Sequence, residues 1–400
     1  MKLRARSWRL DQAPDLLSVT GQYGQLFSVG SYGYAGRGEA LRIRLPAPWV
    51  ENVDTVTRSL TAIEVQGDHA PVAFGALPFD RSVAASVVVP RLLVRSDVAG
   101  THWAMTVGDE EHPDAAYPPR AEPAEEAATT ITFSAEITPE DWCEQVATAT
   151  DHIRAGELQK VVLSRVVECE SDVNLDQRLP LANLQSQFPS SMVFAVDQFI
   201  GATPELLVAV HADAVQSQPM AGTTPFTGNA RIDAQAAAAL LASKKDLEEH
   251  QYTIDMVHDT LLEWCSYLDS GAAPEIHAVA NVQHLASKVV GRLSVPYASA
   301  LEIVAGLHPT PAVGGLPRAI ALALMAELEP SKRGRYAGPV GWINADGDGE
   351  FGVGIRSAQI DGRRGVMHSG VGVVADSDPE AELAETRAKF RTMFGAFNRL

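Results

Sequence analysis

Cysteine is scarce in this sequence of 400 residues, which contains only three. Cys143, Cys169 and Cys265 are far apart, and none belongs to a C-x-x-C pair. An odd, widely spaced set excludes both a disulfide framework and a structural zinc site, because each needs clustered cysteines. The three thiols are therefore expected to be buried and reduced.

Long apolar runs are also missing. Polar residues interrupt each hydrophobic stretch well before the roughly 20 residues needed to span a bilayer. The first ten residues carry Lys2, Arg4, Arg6 and Arg9, but the apolar segment of a signal peptide does not follow them. The sequence thus predicts a cytoplasmic protein without a membrane span or an export signal.

Positive charge is in short supply. The chain has 32 Lys and Arg against 50 Asp and Glu, which gives a formal net charge of −18. Nucleic acids and anionic membranes bind mainly to clustered Lys and Arg, so neither is expected as a partner. If the substrate is an anion, the site must supply positive charge locally.

Composition permits one very large domain or two ordinary ones, since the apolar fraction of 46% and the charged fraction of 20% are typical of globular proteins.

From Leu3 to about Met105, short alternating runs such as Leu41–Leu45 lie between Gly and Pro residues, which predicts strands. The stretch from Gly108 to Thr130 is acidic and rich in Pro and Ala. It is predicted to be an exposed loop that either divides two lobes or forms a surface insertion.

The remainder of the chain alternates between helical and strand patterns. Helices are predicted at Pro139–Ala155, from about Ala234 to Tyr267 with at most one break, at Leu316–Leu328, and from Glu380 to Asn398 after the capping residues Ser377-Asp378-Pro379. Strands are predicted at Lys160–Val167, Leu206–Val210, Ala337–Ile343 and Glu350–Ile360, with a turn at Gly201–Pro204. These elements indicate a mixed α/β fold with mainly antiparallel strands.

Two carboxylate couples have helical spacing, Asp246 with Glu249 and Glu382 with Glu385. Residues three apart share one helix face, so each couple can direct two oxygen ligands at one point. If the two helices meet, they form a hard-oxygen site suited to Mg²⁺. The alternative is a solvated helix face, where Glu385 pairs with Lys389 and the helix dipole favours acidic residues in the first turns.

Two ionisable residues accompany apolar strands. Lys160 shares a strand face with Val162 and Ser164, and desolvation there would favour the neutral amine that a general base requires. Glu205 precedes the apolar run Leu206–Val210, and partial burial would favour the protonated form that a general acid requires. Each also fits a plain surface role, a lysine that reaches water at a strand end or a carboxylate at a strand edge.

Two further patterns suggest metal sites at first sight. The run Asp346–Glu350 resembles part of a calcium loop, but the remaining ligands and flanking helices are missing, so a hairpin turn is predicted. His284 and His308 lack the spacing of metal ligands. We interpret them as hydrogen-bonded residues of the core or of a cavity wall.

Eight collinear segments together resemble the chorismate-utilising enzymes, a family that includes isochorismate, salicylate, anthranilate and aminodeoxychorismate synthases. The segments are KVVLSR from Lys160, GATPELLV from Gly201, AGTTPFTG from Ala221, KDLEEH from Lys245, VQHLASKVVG from Val282, LHPTPAVGGLP from Leu307, YAGPVGW from Tyr336 with GDGEFGVGIRSA from Gly347, and GVGVVADSDPEAELAETRAK from Gly370. Their order and approximate spacing match from about Phe133 to the C-terminus. Residues 1–130 resemble the family only faintly, through the run from Phe74 to Phe79.

The resemblance implies a fold. It predicts one large α/β (α+β) domain over residues 1–400, with two antiparallel sheets in a layered core, helices outside and the site in a cleft. Residues 133–400 would form the catalytic portion and residues 1–130 a strand-rich N-terminal portion. The protein is expected to be a monomer.

The resemblance also implies an Mg²⁺-dependent reaction on chorismate without a redox cofactor. Lys160 would activate water for attack at ring C2, and Glu205 would protonate the hydroxyl that leaves from C4. The metal would be held by Glu249 and Glu385, with Asp246 and Glu382 adjoining. The implied substrate-binding residues are Gly222, Thr223, His284, Ala312, Tyr336, Arg356, Gly370, Val371, Gly372 and Lys389.

Ala312 separates subtypes of the family. Members that go on to eliminate pyruvate typically have threonine there, so alanine favours an isochorismate synthase, as does the KDLEEH form of the metal helix. A salicylate synthase is the alternative within the enzymes, and a non-catalytic chorismate-binding regulatory protein is the alternative outside them. The product would feed siderophore, menaquinone or salicylate synthesis. Pro225-Phe226 departs from the many relatives that have a basic residue in this loop.

Overall fold

The computed structural model describes residues 3–109, 117–120, 122, 130–271, 273–279 and 282–397. Most of the predicted loop from Gly108 to Thr130 therefore lies outside the described residues. The helices are α1 Leu16–Thr20, α2 Asp54–Thr61, α3 Pro139–Arg154, α4 Arg178–Gln187, α5 Ala230–Ala242, α6 Lys244–Leu262, α7 Ala300–Leu307, α8 Arg318–Leu328 and α9 Pro379–Phe397, and Trp49–Glu51 forms a 3₁₀ turn.

The strands follow one another closely along the chain. They are β1 Arg4–Arg9, β2 Gln25–Val29, β3 Tyr32–Arg37, β4 Leu41–Leu45, β5 Glu64–Gln66, β6 Val72–Ala76, β7 Ala85–Val89, β8 Leu92–Ser96, β9 His102–Gly108, β10 Ile131–Ala135, β11 Lys160–Ser171, β12 Met192–Val196, β13 Phe199–Thr203, β14 Leu206–His211, β15 Ala214–Gln218, β16 Met220–Pro225, β17 Cys265–Asp269, β18 Glu275–Val279, β19 Val282–Ala286, β20 Val289–Leu293, β21 Gly315–Leu316, β22 Pro339–Asn344, β23 Gly349–Val353, β24 Ser357–Asp361 and β25 Arg364–Val373.

Within the described residues these strands form three sheets. The largest has the order β10-β11-β25-β24-β13-β12-β2-β3-β8-β9-β1-β5, with β21 paired to β11. The second has the order β17-β20-β15-β14-β23-β22-β6-β7-β4, and the third is β16-β19-β18. The strand pairs of this part of the chain are antiparallel except β1 with β5. The predicted mixed fold with antiparallel sheets is confirmed, and the small third sheet is an addition to the two that were expected.

Each large sheet joins a block of strands from before residue 130 to a block of strands from after it. In the first sheet, Phe27 of β2 lies opposite Phe194 of β12. In the second, Phe74 of β6 lies opposite Trp342 of β22. The N-terminal strands therefore extend the same sheets that the rest of the chain builds.

The core consists of layers because the strands alternate. Along β12, Met192, Phe194 and Val196 join a large apolar cluster on one face of the sheet. Val193 and Ala195 join a second cluster on the other face, which α4 and α9 cover. Since side chains on a strand alternate between faces, the continuous run MVFAV serves both layers at once.

The predicted helix from about Ala234 to Tyr267 is confirmed with its one break, but its C-terminal end is wrong. The helical run breaks at Ser243, whose extended backbone (φ −73°, ψ 112°) ends α5 and whose hydroxyl accepts a hydrogen bond from Asp246 N and so caps α6. After α6 ends, Cys265–Asp269 forms strand β17 beside β20. The helix was predicted to extend too far because apolar residues continue at helical spacing up to Cys265, and this periodicity does not reveal a partner strand that is distant in sequence.

Two strand predictions are also corrected. The predicted strand Glu350–Ile360 is divided into β23 and β24, which belong to different sheets, and Arg356 between them has φ +52°. The predicted turn Gly201–Pro204 is mostly strand, since Gly201 to Thr203 pair with β12. The predictions for β11, β22 and the hairpin that follows β22 are confirmed within one to four residues.

The C-terminal helix begins as predicted. The Asp378 carboxylate accepts a hydrogen bond from Ala381 N, and Pro379 is the first helical residue. Among the described residues, no helix is both long and apolar enough to cross a membrane. The cysteines are free thiols, but only Cys169 is buried, so the prediction of three buried thiols is wrong for Cys143 and Cys265.

Candidate active site

A cavity of about 190 Å³ lies between the edge of the largest sheet, the small third sheet and helices α6 and α9. A single water needs only about 10–15 Å³, so the cavity has room for a small organic molecule. Its lining residues are Lys160, Val162, Pro204, Glu205, Met220, Ala221, Gly222, Thr223, Asp246, Glu249, His284, Ala312, Val313, Tyr336, Ile355, Arg356, Gly370, Gly372, Glu382, Glu385 and Lys389.

The structure therefore brings the catalytic, metal-binding and substrate-binding residues implied by the family resemblance to one place, with one exception. Val371 is 1% exposed and belongs to the apolar core. Its neighbours Gly370 and Gly372 face the cavity, because successive residues of β25 point to opposite sides of the sheet.

Lys160 begins β11 and is almost completely buried, with 3% of its surface exposed. Its Nζ lies 2.5 Å from Oε1 of Glu249 on α6. Gly372 on the adjacent strand makes room for it, since a Cβ there would lie 2.7 Å from Lys160 Cε. The lysine stem thus packs against a position that only glycine can occupy without displacing it.

Glu205 lies between β13 and β14 and is 5% exposed. Burial raises the pKa of its carboxyl to about 7, although the positive charges of Lys160, Arg356 and Lys389 lower it in part. The protonated acid is therefore well populated near neutral pH. A buried carboxyl of this kind can donate a proton to a leaving group.

The two carboxylate couples line the same cavity. Asp246 and Glu249 come from the first two turns of α6, and Glu382 and Glu385 from the first two turns of α9. These four side chains offer only hard oxygen donors, which are the ligands that Mg²⁺ prefers.

The carboxylates do not by themselves enclose a metal ion. In the described part of the chain, no three Asp, Glu, His or Cys side chains converge as a ligand cluster. Instead, Glu249 pairs with Lys160, and Glu385 Oε1 lies 2.6 Å from Lys389 Nζ. This is compatible with Mg²⁺, which is usually held by one or two protein carboxylates and keeps several waters or substrate oxygens.

Positive charge also lines the cavity. Arg356 is 8% exposed, and its Nε and Nη2 have no hydrogen-bond partner among the described residues. Lys389 Nζ donates to Gly370 O at 2.9 Å. Burial raises the pKa of the Tyr336 phenol, which keeps it neutral and able to donate a hydrogen bond. Donors without a partner at a buried arginine identify a place for an anion.

His284 contributes an acceptor to the cavity. Burial, together with the nearby charges of Arg356 and Lys389, holds the pKa of its imidazole well below the usual range. Its Nδ1 lies 3.2 Å from Gly222 O, which can only accept, and 3.1 Å from Thr223 Oγ1, which can accept or donate. A neutral ring with its hydrogen on Nδ1 satisfies both contacts. The other ring nitrogen is then an acceptor that suits a substrate hydroxyl.

The remaining motif residues lie elsewhere. His308 is in the core, where its Nε2 donates to Phe79 O at 2.9 Å. Asn344 Oδ1 accepts hydrogen bonds from the backbone of Asp346 and Asp348 in the hairpin loop between β22 and β23. Pro225 ends β16 and is exposed outside the cavity lining.

Sequence reasoning missed the apolar part of the wall. This part consists of Pro204, Met220, Ala221, Val313 and Ile355. Such residues give no signal in a single sequence, because an apolar side chain against a ligand resembles one in the core.

Comparison with known proteins decides the family. A family model described as "Chorismate binding enzyme" matches residues 59–398 of the chain. The chain belongs to this family. The match begins well before Phe133, so the likeness to chorismate-binding enzymes extends further toward the N-terminus than the motifs alone indicated.

Individual family members agree with this assignment. The isochorismate synthase DhbC of Bacillus subtilis (strain 168) is 35% identical over 352 residues, which cover 85% of this chain and 84% of the relative. The isochorismate synthase EntC of Escherichia coli (strain K12) is 31% identical over 340 residues, which cover 84% of this chain and 83% of the relative. The solved structure of MenF, the menaquinone-specific isochorismate synthase from Escherichia coli, has a TM-score of 0.84 and 24% identity, covers 99% of this chain and 95% of that one, and shows the shared fold.

Proposed function

We propose that this chorismate-binding enzyme is an isochorismate synthase. It adds water at C2 of chorismate and removes the hydroxyl at C4, which converts the substrate to its isomer without a redox step. The observation that carries the proposal is the presence of one buried amine and one buried carboxyl, Lys160 and Glu205, on the wall of a single cavity. The identity to proteins named isochorismate synthases supports it.

Lys160 acts as the base. Its amine, when deprotonated, takes a proton from the attacking water as the new C2–O bond forms. Burial at the start of β11 and contact with Gly372 fix the position of Nζ at the cavity wall. The same contacts exclude bulk water from the amine.

Glu205 acts as the acid. As the C2–O bond forms, the ring double bonds shift and the C4–O bond breaks. Glu205 gives its proton to the departing hydroxyl, which leaves as water, so one water enters and one leaves. The raised pKa of about 7 keeps this proton available at neutral pH.

The substrate carboxylates bind to the cationic residues of the cavity. Arg356 offers two buried donors without a partner among the described residues, and Tyr336 and Lys389 line the same cavity. These groups supply locally the positive potential that a chain of net charge −18 otherwise lacks. His284 accepts a hydrogen bond from a substrate hydroxyl.

Glu249 and Glu385 are the residues that would hold Mg²⁺, with Asp246 and Glu382 adjoining. A bound Mg²⁺ would neutralise the ring carboxylate and stabilise charge that develops on it. Lys160 and Lys389 form ion pairs with Glu249 and Glu385, respectively. The ion pairs keep the acidic residues in place at the edge of the cavity.

We further propose that catalysis stops at isochorismate, because Ala312 supplies no hydroxyl to the cavity wall. We also propose that the chain works as a monomer and as a single domain. The cytoplasmic location stays a prediction from the sequence.

The test is incubation of the purified protein with chorismate, in Mg²⁺ and in EDTA, with products identified by reversed-phase chromatography and mass spectrometry. An Mg²⁺-dependent product isomeric with chorismate, without pyruvate in a lactate-dehydrogenase-coupled assay, is expected. Salicylate with equimolar pyruvate would assign the chain to the salicylate synthases. Chorismate binding without conversion would indicate a regulatory protein.

A further inference from the structure

Strand β11 carries Lys160 and has an interrupted edge beside the cavity. On one side β25 pairs with it continuously over residues 161–170. On the other side β21 pairs only with Lys160 and Val161, and β10 pairs only with residues 167–171. Between these two partners, the backbone of β11 requires other hydrogen-bonding groups.

Two backbone groups fill part of this gap, since Gly314 O accepts a hydrogen bond from Val162 N at 2.9 Å and Glu136 N donates to Val166 O at 3.1 Å. A buried ion pair fills the rest. The Glu329 carboxylate accepts a hydrogen bond from Ser164 N at 2.8 Å. The Arg333 guanidinium donates to Val162 O at 2.6 Å. The two side chains therefore take the place of a missing strand next to the cavity.

Glu329 and Arg333 form short hydrogen bonds with each other and are shielded from solvent. Arg333 Nε lies 2.9 Å from Glu329 Oε2, and Nη2 lies 2.5 Å from Oε1. The side chains are 3% and 8% exposed. Glu329 directly follows α8, so the helix end determines where the carboxylate meets β11.

Arg333 also binds the segment that leads into β21. Its Nη1 donates to Val313 O at 2.8 Å. Val313 and its neighbour Ala312 line the cavity, as does Val162. Val162 N donates to Gly314 O at 2.9 Å, so the segment that contains Val313 runs beside β11. One guanidinium thus joins two neighbouring backbones at the cavity wall.

Aromatic rings hold the guanidinium in this position. It lies 4.5 Å from the ring centre of Phe79 and 6.0 Å from that of Tyr336. Phe79 belongs to the N-terminal part of the chain and Tyr336 to the cavity wall. Arg333 itself does not line the cavity, so it acts through these neighbours.

We propose that Arg333, held by Glu329, is a positioning residue that fixes Ala312 and Val313 against β11 at the cavity wall. It thereby aligns the substrate with Lys160. This inference rests on the proposed function. The competing view is that the pair stabilises the fold and leaves the geometry of the cavity unchanged.

The experiment compares Arg333→Met with the double variant Glu329→Gln/Arg333→Met. The single variant leaves a buried carboxylate without its partner, so its melting temperature should fall markedly. The double variant removes both charges and should recover most of that loss, because the carboxamide oxygen introduced by Glu329→Gln can still accept the hydrogen bond from Ser164 N. It keeps the fold but lacks the bonds to Val162 and Val313.

Kinetics of the double variant with chorismate are measured well below its melting temperature. We expect kcat/KM to fall at least tenfold with a higher KM. The Mg²⁺ concentration for half-maximal activity should stay unchanged, because the hydrogen bonds of Arg333 within the described residues do not reach α6 or α9. Arg335→Met is the matched control, since Arg335 binds Ala76 O and Gln359 away from the cavity. It should keep the wild-type kcat and KM.

Wild-type kcat and KM in the folded double variant would overturn the positioning role. Chorismate affinity, measured by calorimetry in EDTA, separates this result from a failure of the proposed function. A wild type that binds but does not convert chorismate would refute the function, and at least tenfold weaker binding by the double variant would still support positioning. A wild type that neither binds nor converts chorismate would overturn both.

Discussion

The Nζ atom of Lys160 lies 2.5 Å from the Oε1 atom of Glu249, so a strand of the largest sheet and the acidic helix α6 meet through one ion pair. Both side chains are mostly buried, with 4% and 14% of their surface exposed. The proposed base and a proposed metal ligand therefore share one contact. A change at either residue is expected to affect the other.

Replacement of Lys160 by alanine should lower kcat by about 10²–10⁴-fold, the usual contribution of a positioned base. Chorismate should still bind, because Arg356 and Tyr336 are unchanged. Steady-state kinetics and calorimetry measure the two effects separately. Lys288→Ala removes an exposed lysine and is the matched control. Unchanged turnover in the Lys160 variant would remove it from the mechanism.

Activity should depend on the ionisation of Glu205. Its pKa of about 7 means that the protonated acid is lost as the pH rises through neutrality. The kcat/KM for chorismate should therefore fall roughly tenfold for each pH unit above that value. Glu205→Gln should lower kcat by about 10²–10⁴-fold and abolish this alkaline decline. A wild-type profile that is flat from pH 6 to 9 would contradict the assignment.

The same group links stability to pH. Burial raises the pKa of Glu205 above its ordinary value of 4.5, so its neutral form stabilises the fold fully below that value. The contribution is lost as the pH rises through about 7. The glutamine of Glu205→Gln cannot ionise. The melting temperature of this variant should therefore rise relative to that of the wild type between pH 5 and 8. A difference in melting temperature that stays constant over this pH range would show that ionisation of Glu205 does not destabilise the fold.

Loss of a carboxylate at the proposed metal site should weaken Mg²⁺ dependence selectively. We expect Glu249→Gln and Glu385→Gln to raise the Mg²⁺ concentration for half-maximal activity at least tenfold. Titration of activity with Mg²⁺, together with calorimetry of Mg²⁺ binding, measures the effect. The control is Glu248→Gln, because Glu248 is an exposed neighbour on α6 that accepts a hydrogen bond from Tyr252. This variant should leave the Mg²⁺ concentration for half-maximal activity unaltered. Equal shifts in all three variants would point to general electrostatics.

Arg356 should determine substrate affinity. Arg356→Lys keeps the charge but loses the planar, forked donor, so we expect the KM for chorismate to rise about 10–100-fold, equivalent to roughly 1.5–3 kcal/mol. The control is Arg364→Lys, which alters an exposed arginine paired with Glu168. An unchanged KM would mean that the unpaired nitrogens of Arg356 do not face the substrate.

The polar half of the site could be predicted from the sequence for a physical reason. Charged side chains such as Lys160 and Glu205 next to apolar strands are expensive to bury, so their presence in such runs is informative. The spacing of Asp246 and Glu249 fixes a common helix face without knowledge of the partner. Order and spacing of the motifs then placed these groups in one family site.

Other features depend on contacts between distant parts of the chain. The predicted strand Glu350–Ile360 is divided at Arg356, whose backbone is left-handed. The strand-forming residues on either side of Arg356 do not reveal this conformation. Cys265–Asp269 is a strand because β20 lies beside it. The Glu329–Arg333 pair reads as an ordinary helix-end pair at four-residue spacing until the gap in β11 is seen.

The junction between early and late strands within each large sheet has a consequence for biosynthesis. On the ribosome, the free edge of β2 has no partner until residues 192–196 have emerged, and that of β6 has none until residues 339–344 have emerged. Because these pairings span more than 160 and 260 residues, completion of the two sheets must wait for most of translation, and nascent chains expose unpaired edges meanwhile. Slower translation before residue 339 should therefore lengthen dependence on chaperones.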